Sequence, residues 1–465
     1  MRVATLLVTA ALAGCASPPT VAPPTIDMPP AWKLDEPWRT ATPRDAVPKG
    51  PWWQRFDDPT LSALQQQALQ ASPTLAAAAA RLAQAQAVAA QAGAAQLPTL
   101  SAGLRAARLR TSANRPLSSY AATNQATVQN DFVPAFTVGY EVDLSGRVRQ
   151  QAAVAQAGVQ QAQADLENTR LLLGADLAAA YFGLRAVDVE VDVLQRSIEL
   201  QRRSLVYVTA RRDGGVASGL DVAQQQALLD NTLTQREVLA RQRATFEHAL
   251  ATLSGTPAPA FVLPPAPRRF VLPEVPLGLP SDLLERRPDV ASAQRAMAAA
   301  NAQIGVARAA FYPSINLAPT LGVESRALST LFDAPSLLWS FGVTVAQALF
   351  DGGRAQAGVD LATAGHQLAA ANYRRVVLTA MQEAEDGIIG LAALQRALQQ
   401  AQTAAASARR VLDLAQGRYE GGVGTTLDVI SAQQGVLAAE RQVAQLQGQM
   451  QLLAVFLIKA LGGDW

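Results

Sequence analysis

The residue best suited to covalent chemistry is Cys15, the only cysteine in the 465-residue chain. It follows Arg2 and a short apolar stretch from Val3 to Ala13, the pattern of a secretory signal peptide. That stretch ends in Leu12-Ala13-Gly14-Cys15, a sequence typical of the lipobox of bacterial lipoproteins. We therefore expect cleavage before Cys15, with diacylglycerol on the sulfur and an acyl chain on the amino group. The alternative is an ordinary signal peptide with a chance cysteine.

The segment after Cys15 predicts which membrane holds the protein and also predicts a leash to the folded part. Position 16 is Ala16, where an aspartate would signal retention in the inner membrane, so lipoprotein sorting rules imply the outer membrane. Several acyl chains on one residue anchor a protein firmly, whereas a single chain does not. A run of prolines then favours extended polyproline II conformation without a core. These prolines are Pro18, Pro19, Pro23, Pro24, Pro29 and Pro30.

Side chains for catalysis or metal binding do not cluster in the sequence. His248 and His366 stand alone in helical stretches, where a surface or packing role is the simpler interpretation. The chain contains no phosphate-binding loop and no dinucleotide fingerprint after a strand. The net charge of +2 gives no reason to expect a nucleic-acid partner. We expect neither an enzyme nor a metal site, and no cofactor besides the lipid.

The sequence pattern of the remaining chain occurs twice. Pro73 and Pro98 bound an Ala- and Gln-rich helical stretch that recurs, 215 positions later, between Pro288 and Pro313. Gly215-Val216 recurs as Gly422-Val423 at an offset of 207 positions. A period this long indicates a duplicated half-protein rather than a short solenoid repeat.

Each half contains helices that are too long for a globular domain. Between Arg147 and about Arg212 no proline interrupts the chain, and apolar residues recur at steps of three and four. Roughly 65 residues at about 1.5 Å each give a rod of about 100 Å. Arg354 to Gly417 gives the second rod. The seam of the first rod comprises Leu173, Leu177, Tyr181, Leu184, Val187, Val191, Leu194 and Ile198.

Both rods turn at a glycine pair, Gly214-Gly215 and Gly421-Gly422, and return as a second helix. The return helices begin with Ser218-x-x-Asp221 and Thr425-x-x-Asp428, which are capping boxes. Plain helix capping is therefore the simplest role for these two aspartates.

Four stretches alternate between apolar and polar residues as strands of a membrane barrel do. They run from about Thr99 to Arg110, Phe132 to Leu144, Pro313 to Glu324, and Leu337 to Val345. In the stretch from Phe132 to Leu144, the even-numbered residues are apolar and would face lipid, whereas the odd-numbered residues would face the lumen. The lumen candidates with polar side chains are Glu141, Asp143, Asn316 and Glu324.

Four strands cannot close a barrel, and an open edge in lipid leaves backbone groups unpaired at several kcal/mol each. The chain must therefore oligomerise. Two copies would give about 8 strands with a filled lumen, and three would give about 12 with an open one. Small residues on the lumen side, such as Gly139 and Gly342, favour three copies.

Three segments carry a family resemblance. Leu279 to Val290, continuing to Ile315, resembles outer membrane factors of the TolC-like class, in the NodT-type lipoprotein branch. Leu349 to Arg354 and the Arg418-Tyr419-x-x-Gly422 turn do so as well. The resemblance runs from Trp52 to the C-terminus. It implies an α+β membrane protein: a homotrimeric 12-stranded outer-membrane barrel continuing into a helical barrel in the periplasm.

The resemblance also implies partners and a function. Such proteins are exit ducts of tripartite efflux systems, joined through a periplasmic adaptor to an inner membrane transporter of the RND, MFS or ABC class. A type I secretion duct is an alternative. A periplasmic coiled-coil spacer without a pore is another, although a spacer needs no lipid-facing strands. Lipid is the remaining partner, and the sequence does not identify the substrates.

In the resembling family the helix turns close the periplasmic end and contact the adaptor. Arg418, Tyr419 and Glu420 match the gate region, and simple packing between helices is the alternative for Arg418 and Tyr419. Some relatives have an aspartate where this chain has Gly424, so Asp413, farther from the turn, or Glu420 is the candidate to replace it. The candidates for adaptor contact are Gly215, Val216, Gly422 and Val423.

The expected organisation follows the duplication. Residues 1–14 are the signal peptide, 15–51 the lipidated leash, and 52–97 the first equatorial helical segment. Residues 98–146 form one hairpin of the barrel, 147–254 the first helical hairpin, and 255–283 a linker. Residues 284–312 form the second-half helix, 313–351 the other barrel hairpin, 352–461 the second helical hairpin, and 462–465 the tail.

Overall fold

The computed structural model describes residues 50–114, 126–267, 272–273 and 286–463. The expected signal peptide, the leash with Cys15, and parts of the linker and tail lie outside these ranges. The helices are α1 (Pro59–Ala71), α2 (Pro73–Ala94), α3 (Arg147–Asp213), α4 (Gly219–Leu253), α5 (Pro288–Arg308), α6 (Arg354–Glu420) and α7 (Thr426–Ala460). The strands are β1 (Thr99–Thr111), β2 (Thr127–Val142), β3 (Ser314–Leu317), β4 (Thr320–Val323), β5 (Leu337–Ser340) and β6 (Val343–Ala346).

The described chain divides into two compact units. One contains residues 82–161 and 293–373 and includes the strands. The other contains the described residues up to 81 together with 162–292 and 374–463, and it is helical. None of the described helices is long and apolar enough to cross a membrane.

The sheet is antiparallel and has four strand tracks. β1 pairs with β2 from Thr99 opposite Gly139 to Thr111 opposite Thr127. The other edge of β2 pairs with β3 and with β4, which pair in turn with β6 and β5. Within the described chain, β1 and the β5–β6 track have no further partner strand. The sheet therefore has the strand number expected from the sequence, with an unpaired edge on each side.

The two strands of the second hairpin are each interrupted, whereas the sequence predicted continuous ones. The break between β3 and β4 falls at Ala318 and Pro319, because proline has no N–H to donate to the ladder. Pairing continues around it: Val138 N–H donates to the Pro319 carbonyl at 2.9 Å, and Ala318 N–H donates to the Gly342 carbonyl at 3.0 Å. The interruption shortens the regular strands without opening the sheet.

The two rods are confirmed. α3 and α6 each contain 67 residues, and the return helices α4 and α7 each contain 35. At about 1.5 Å per residue, each rod is about 100 Å long. The seam residues of α3 are buried, apart from the partly buried Val191. The equal lengths follow from the duplication, because each half carries the same apolar spacing and the same turn.

The core of the helical unit is built around the seam of α3. Tyr181 and Phe182 are fully buried, and Phe182 packs against Phe56 with ring centroids 4.7 Å apart. The Tyr181 hydroxyl donates to the Asp58 carboxylate at 2.6 Å, and Asp58 also caps the start of α1. Burial raises the pKa of Tyr181, with the Asp58 hydrogen bond acting in the same direction. The segment before α1 is thereby fixed to the rod.

Candidate functional site

The rod-to-return turns adopt the same backbone conformation in both halves. Gly215 and Gly422 have φ angles of 77° and 76°, which the missing Cβ permits. Val216 N–H donates to the Arg211 carbonyl at 2.8 Å, and Val423 N–H donates to the Arg418 carbonyl at 3.0 Å. These are Schellman bonds, which satisfy carbonyls at a helix C-terminus.

The return helices begin with the capping boxes expected from the sequence. In α4 and α7 the N-cap side chain accepts from the third backbone N–H, and the aspartate there accepts from the N-cap backbone. Hydrogen bonds from the Ser218 hydroxyl and backbone lower the pKa of Asp221. Backbone and hydroxyl hydrogen bonds from Thr425 lower the pKa of Asp428. Both aspartates are thus poised as charged caps.

Each turn presents an exposed valine to its surroundings. The side chain of Val216 is 68% exposed and that of Val423 is 72% exposed. The apolar residues in the first turn of the return helices, Leu220 and Leu427, are exposed as well. The duplicated turns therefore offer two small apolar surfaces on rigid, capped ends.

Tyr419 lies inside the protomer. Only 8% of it is exposed, and it packs with Val208 and Val429. Its hydroxyl accepts a hydrogen bond from Thr426 Oγ1 at 3.1 Å. Arg211, at the end of α3, lies with its Cζ 4.6 Å from the Tyr419 ring centroid and donates from Nη1 to the Tyr419 carbonyl at 3.2 Å. One cation thus holds both the ring and the backbone of the second turn.

The other gate candidates have exposed side chains. Asp413, Arg418 and Glu420 are exposed on the last turns of α6. Arg418 reaches the Val423 carbonyl at 3.5 Å. A Cβ on Gly424 would lie 3.0 Å from the Tyr419 backbone nitrogen, so a side chain there would crowd the turn. The structure brings Tyr419 together with Arg211, and it leaves the other three facing outward.

Sequence reasoning missed Arg211 and Tyr207. The Tyr207 ring packs edge-on against Tyr419, with centroids 6.0 Å apart. Tyr207 and Arg211 lie four residues apart on α3, so their side chains share one face of that helix. The sequence therefore predicts that these two residues are neighbours, but it does not predict their contact with Tyr419 of the other half.

The strand register sorts the sheet residues into rows. Glu141 lies opposite Asn316, which lies opposite Thr344, so these polar residues share one face. The neighbouring row, Val142, Ile315 and Val345, is apolar and shares the other face. The same alternation recurs nearer the middle of β2, where Thr137 lies opposite Thr320 and Phe136 lies opposite Leu321. The two faces of the sheet therefore differ in polarity along its length.

Two of the lumen candidates make bonds at the start of α3. Arg147 donates to the two Glu141 carboxylate oxygens, from Nε at 3.0 Å and from Nη2 at 2.5 Å. The Asp143 carboxylate accepts from Val148 N–H at 3.1 Å and from Arg149 N–H at 2.9 Å. Asp143 therefore caps the helix that leaves the sheet. Asn316 and Glu324 are exposed.

The described residues contain no group of three or more His, Cys, Asp or Glu side chains arranged to hold a metal ion.

The chain matches the family model described as outer membrane efflux protein over residues 64–256 and 279–463. The two matched segments correspond to the two halves of the duplication. The pyoverdine export outer membrane protein OpmQ of Pseudomonas aeruginosa is 33% identical over 459 residues, covering 98% of this chain and 95% of that protein. The toluene efflux pump outer membrane protein TtgF of Pseudomonas putida is 30% identical over 466 residues, covering 98% and 95%.

Solved structures of outer membrane channels have the same fold. The outer-membrane channel OprN superposes with a TM-score of 0.86 at 28% identity, covering 96% of this chain and 99% of that chain. The outer membrane protein VceC from Vibrio cholerae superposes with a TM-score of 0.84 at 28% identity, covering 90% and 100%. The α+β fold class expected from the sequence is confirmed.

Proposed function

The chain belongs to the outer membrane efflux protein family, and we propose that three copies of it form the outer membrane duct of a tripartite efflux pump. Its relatives are outer membrane components of efflux systems, and the family consists of channel proteins. The observation that carries the proposal is the sheet. Its faces differ in polarity, and both of its edges lack a partner strand within the described chain.

Closure of the sheet requires other copies of the chain. Each unpaired backbone group would cost several kcal/mol in lipid, so β1 of one copy must pair with the β5–β6 track of the next. Three copies give about 12 strands, which leaves a water-filled lumen. The row of Glu141, Asn316 and Thr344 faces that lumen, and the row of Val142, Ile315 and Val345 faces lipid.

The helical rods extend the duct toward an inner membrane transporter of the RND, MFS or ABC class. A periplasmic adaptor joins the two by contacting the capped turns at Gly215, Val216, Gly422 and Val423. The exposed valines supply the apolar contact, and the rigid turns keep them in place.

Lipid on Cys15 adds a second attachment to the membrane. The lipobox supports this assignment, and the sheet provides insertion independent of it. The leash of residues 15–51 connects the lipid to the first described residues.

The turn of the second half forms the gate. A closed state is needed, because a water-filled tube would leak periplasmic solutes when no pump is attached. Arg211 holds Tyr419 within the protomer, while the exposed side chains of Asp413, Arg418 and Glu420 can bond a neighbouring copy. The gate opens when the ends of α6 and α7 leave their position beside α3.

The cargo is a small organic molecule rather than a protein. Relatives that share about a third of their residues over nearly the whole chain are named for export of pyoverdine and toluene. This favours efflux over type I secretion.

The test is accumulation of a fluorescent dye in cells from which the gene has been deleted. Restoring the gene is expected to lower dye accumulation. The double variant Val216→Asp with Val423→Asp is expected to reach the outer membrane yet leave accumulation high, because charges replace the apolar adaptor contact. Val216→Ile with Val423→Ile is the matched control and should restore efflux. Full efflux by the aspartate variant would contradict the role of the turns, and no change on deletion would contradict the function.

A further inference from the structure

Two adjacent residues of α7 connect that helix to the three other long helices. Arg441 donates to Gln235 of α4 at 2.8 Å and to Glu190 of α3 at 3.3 Å. Glu440 accepts from Arg409 of α6 at 2.6 Å. We call these five residues the four-helix charge cluster. At this level α7 is bonded to α3, α4 and α6.

The two carboxylates of the cluster are largely shielded from solvent. The side chain of Glu190 is 12% exposed and that of its partner Arg441 is 27% exposed, so water screens this ion pair less than one on an open surface. Glu440 is 16% exposed, whereas its partner Arg409 is 59% exposed. Gln445 adds a second bond to Glu190 at 3.1 Å. One turn away, Leu437 belongs to a buried apolar cluster with Val187, Val193, Leu194 and Leu239. Charge pairing and apolar packing thus hold α7 against the neighbouring helices at the same point along its length.

The contacts nearer the turns are of another kind. Gln433 donates to the Ser204 hydroxyl at 2.7 Å, and Arg211 holds Tyr419 through its ring and carbonyl. The Gln433 bond is neutral and contributes little net free energy, because water replaces it when the helices part. The Arg211 contact joins α3 to α6 rather than to α7, and apolar packing of Val429 with Val208 and Tyr419 completes the contacts at the turn. Counted from the turn, the first ion pairs that attach α7 directly to α3 and α6 therefore lie at Glu440 and Arg441.

The cluster is not a product of the duplication. The positions that correspond to Glu440 and Arg441 in the first half are Leu233 and Thr234, 207 residues earlier. Neither can form an ion pair. The two charges that α7 contributes are thus a property of the second half, and one of their partners, Glu190, lies on α3 in the first half.

We propose that the four-helix charge cluster is the pivot on which the ends of α6 and α7 swing when the gate opens. This inference rests on the gate described under Proposed function. The part of α7 that moves is the fourteen residues from Thr426 to the cluster, a length of about 20 Å. The part beyond the cluster stays attached to α3 and α4.

Hydrogen exchange of the purified full-length protein tests the pivot without relying on transport. Amides of α7 before Glu440 should exchange at least ten times faster than those after Gln445, so the step in exchange rate along the helix should lie at the cluster. Arg441→Met should move this step in exchange rate toward the C-terminus of α7. Arg170→Met removes an exposed pair with Glu167 on α3 and is the matched control, expected to leave the step in place. Uniform exchange along α7 would overturn the proposal.

Cross-linking then tests the pivot in cells. The pair Gly390→Cys with Leu453→Cys bridges α6 and α7 beyond the cluster, where a Cβ on Gly390 would lie 2.8 Å from the Leu453 side chain. The pair Ser204→Cys with Gln433→Cys bridges the moving part. A short reducible thiol cross-linker should leave dye efflux within about twofold for the first pair and lower it at least tenfold for the second, with recovery on reduction. Equal block by both bridges would overturn the pivot.

The control for the reagent is Glu167→Cys with Arg170→Cys, both on α3, which should not affect efflux. A protein that transports no dye even before cross-linking contradicts the proposed function instead. The exchange profile then decides on the pivot by itself.

Discussion

Arg211 and Tyr419 join the two halves of the protomer at the helix turns. The guanidinium Cζ lies 4.6 Å from the ring centroid, and Nη1 donates to the Tyr419 carbonyl at 3.2 Å. The residues are 208 positions apart. Because α3 belongs to the first hairpin and α6 to the second, this contact must break if the second hairpin moves alone.

Removing Arg211 should therefore favour the open gate. A cation–ring contact with a hydrogen bond is worth about 1 kcal/mol, and three protomers multiply that to about 3 kcal/mol. Arg211→Gln should raise resting conductance on the order of a hundredfold. Arg212→Gln is the matched control, because Arg212 donates to the exposed Asp213 beside it at the end of α3. Equal conductance of the two variants would show that the gate is held elsewhere, with Asp413 the next candidate.

The strand register predicts unequal tolerance of charge on the two faces of the sheet. Val343 lies in an apolar row with Leu317 and Tyr140, so Val343→Arg should cost roughly 2–4 kcal/mol near the middle of the bilayer. Thr344 lies in the row of Asn316 and Glu141, so Thr344→Arg should assemble normally and shift ion selectivity toward anions. Assembly is measured by the yield of heat-resistant oligomer in outer membranes. Similar yields for both variants would refute the assigned parity.

The same contrast is expected for Val138→Arg against Thr137→Arg in β2. Val138 lies opposite Leu100, and Thr137 lies opposite Ser101.

The lipid should assist membrane residence without creating it. Cys15→Ser is expected to abolish labelling by radioactive palmitate, because the chain has no other cysteine. When this variant is exported with a cleavable signal, it should still fractionate with outer membranes, since the sheet inserts by itself. A fully soluble periplasmic variant would contradict the barrel, and retained label would contradict the lipobox.

The capping aspartates should make the turns sensitive to acid. The pKa values of Asp221 and Asp428 are lowered in the folded chain by hydrogen bonds from Ser218 and Thr425. Their contribution is therefore present above the ordinary aspartate pKa of about 4 and is lost as pH falls through the lower folded value. Protection factors of amides at the start of α4 and α7 should fall over that interval.

Asp221→Asn with Asp428→Asn supplies the comparison for this prediction. An amide does not titrate, so the variant should show weaker but nearly pH-independent protection. A parallel acid-induced loss in both proteins would assign the sensitivity to other groups.

Much of the helical structure could be predicted because its causes are local. The spacing of Leu177, Tyr181 and Leu184 identifies the buried face of α3, and each is fully buried. The capping boxes depend on residues only three positions apart. Alternation predicted the strand tracks, although Pro319 interrupts one of them by removing a donor. The assignment of domains along the chain stays a prediction.

The contacts between the halves could not be predicted from the sequence. Arg211 with Tyr419, and Arg441 with Glu190, depend on how two separately encoded hairpins pack against each other. Sequence reasoning also treated Asp143 only as a lumen residue, whereas its carboxylate accepts two N–H groups at the start of α3. That role depends on the turn between β2 and α3, where Gly146 has a φ of 75°.

Single-channel recording of the purified full-length protein in a planar bilayer tests the duct most directly. The wild-type protein should insert as a trimer with a low resting conductance, and Arg211→Gln should show long-lived openings of one uniform size. The Thr344→Arg variant should change ion selectivity in those recordings, because its side chain enters the lumen. Stable membrane insertion with no conductance in the wild type, the gate variant or the lumen variant would contradict a conducting duct.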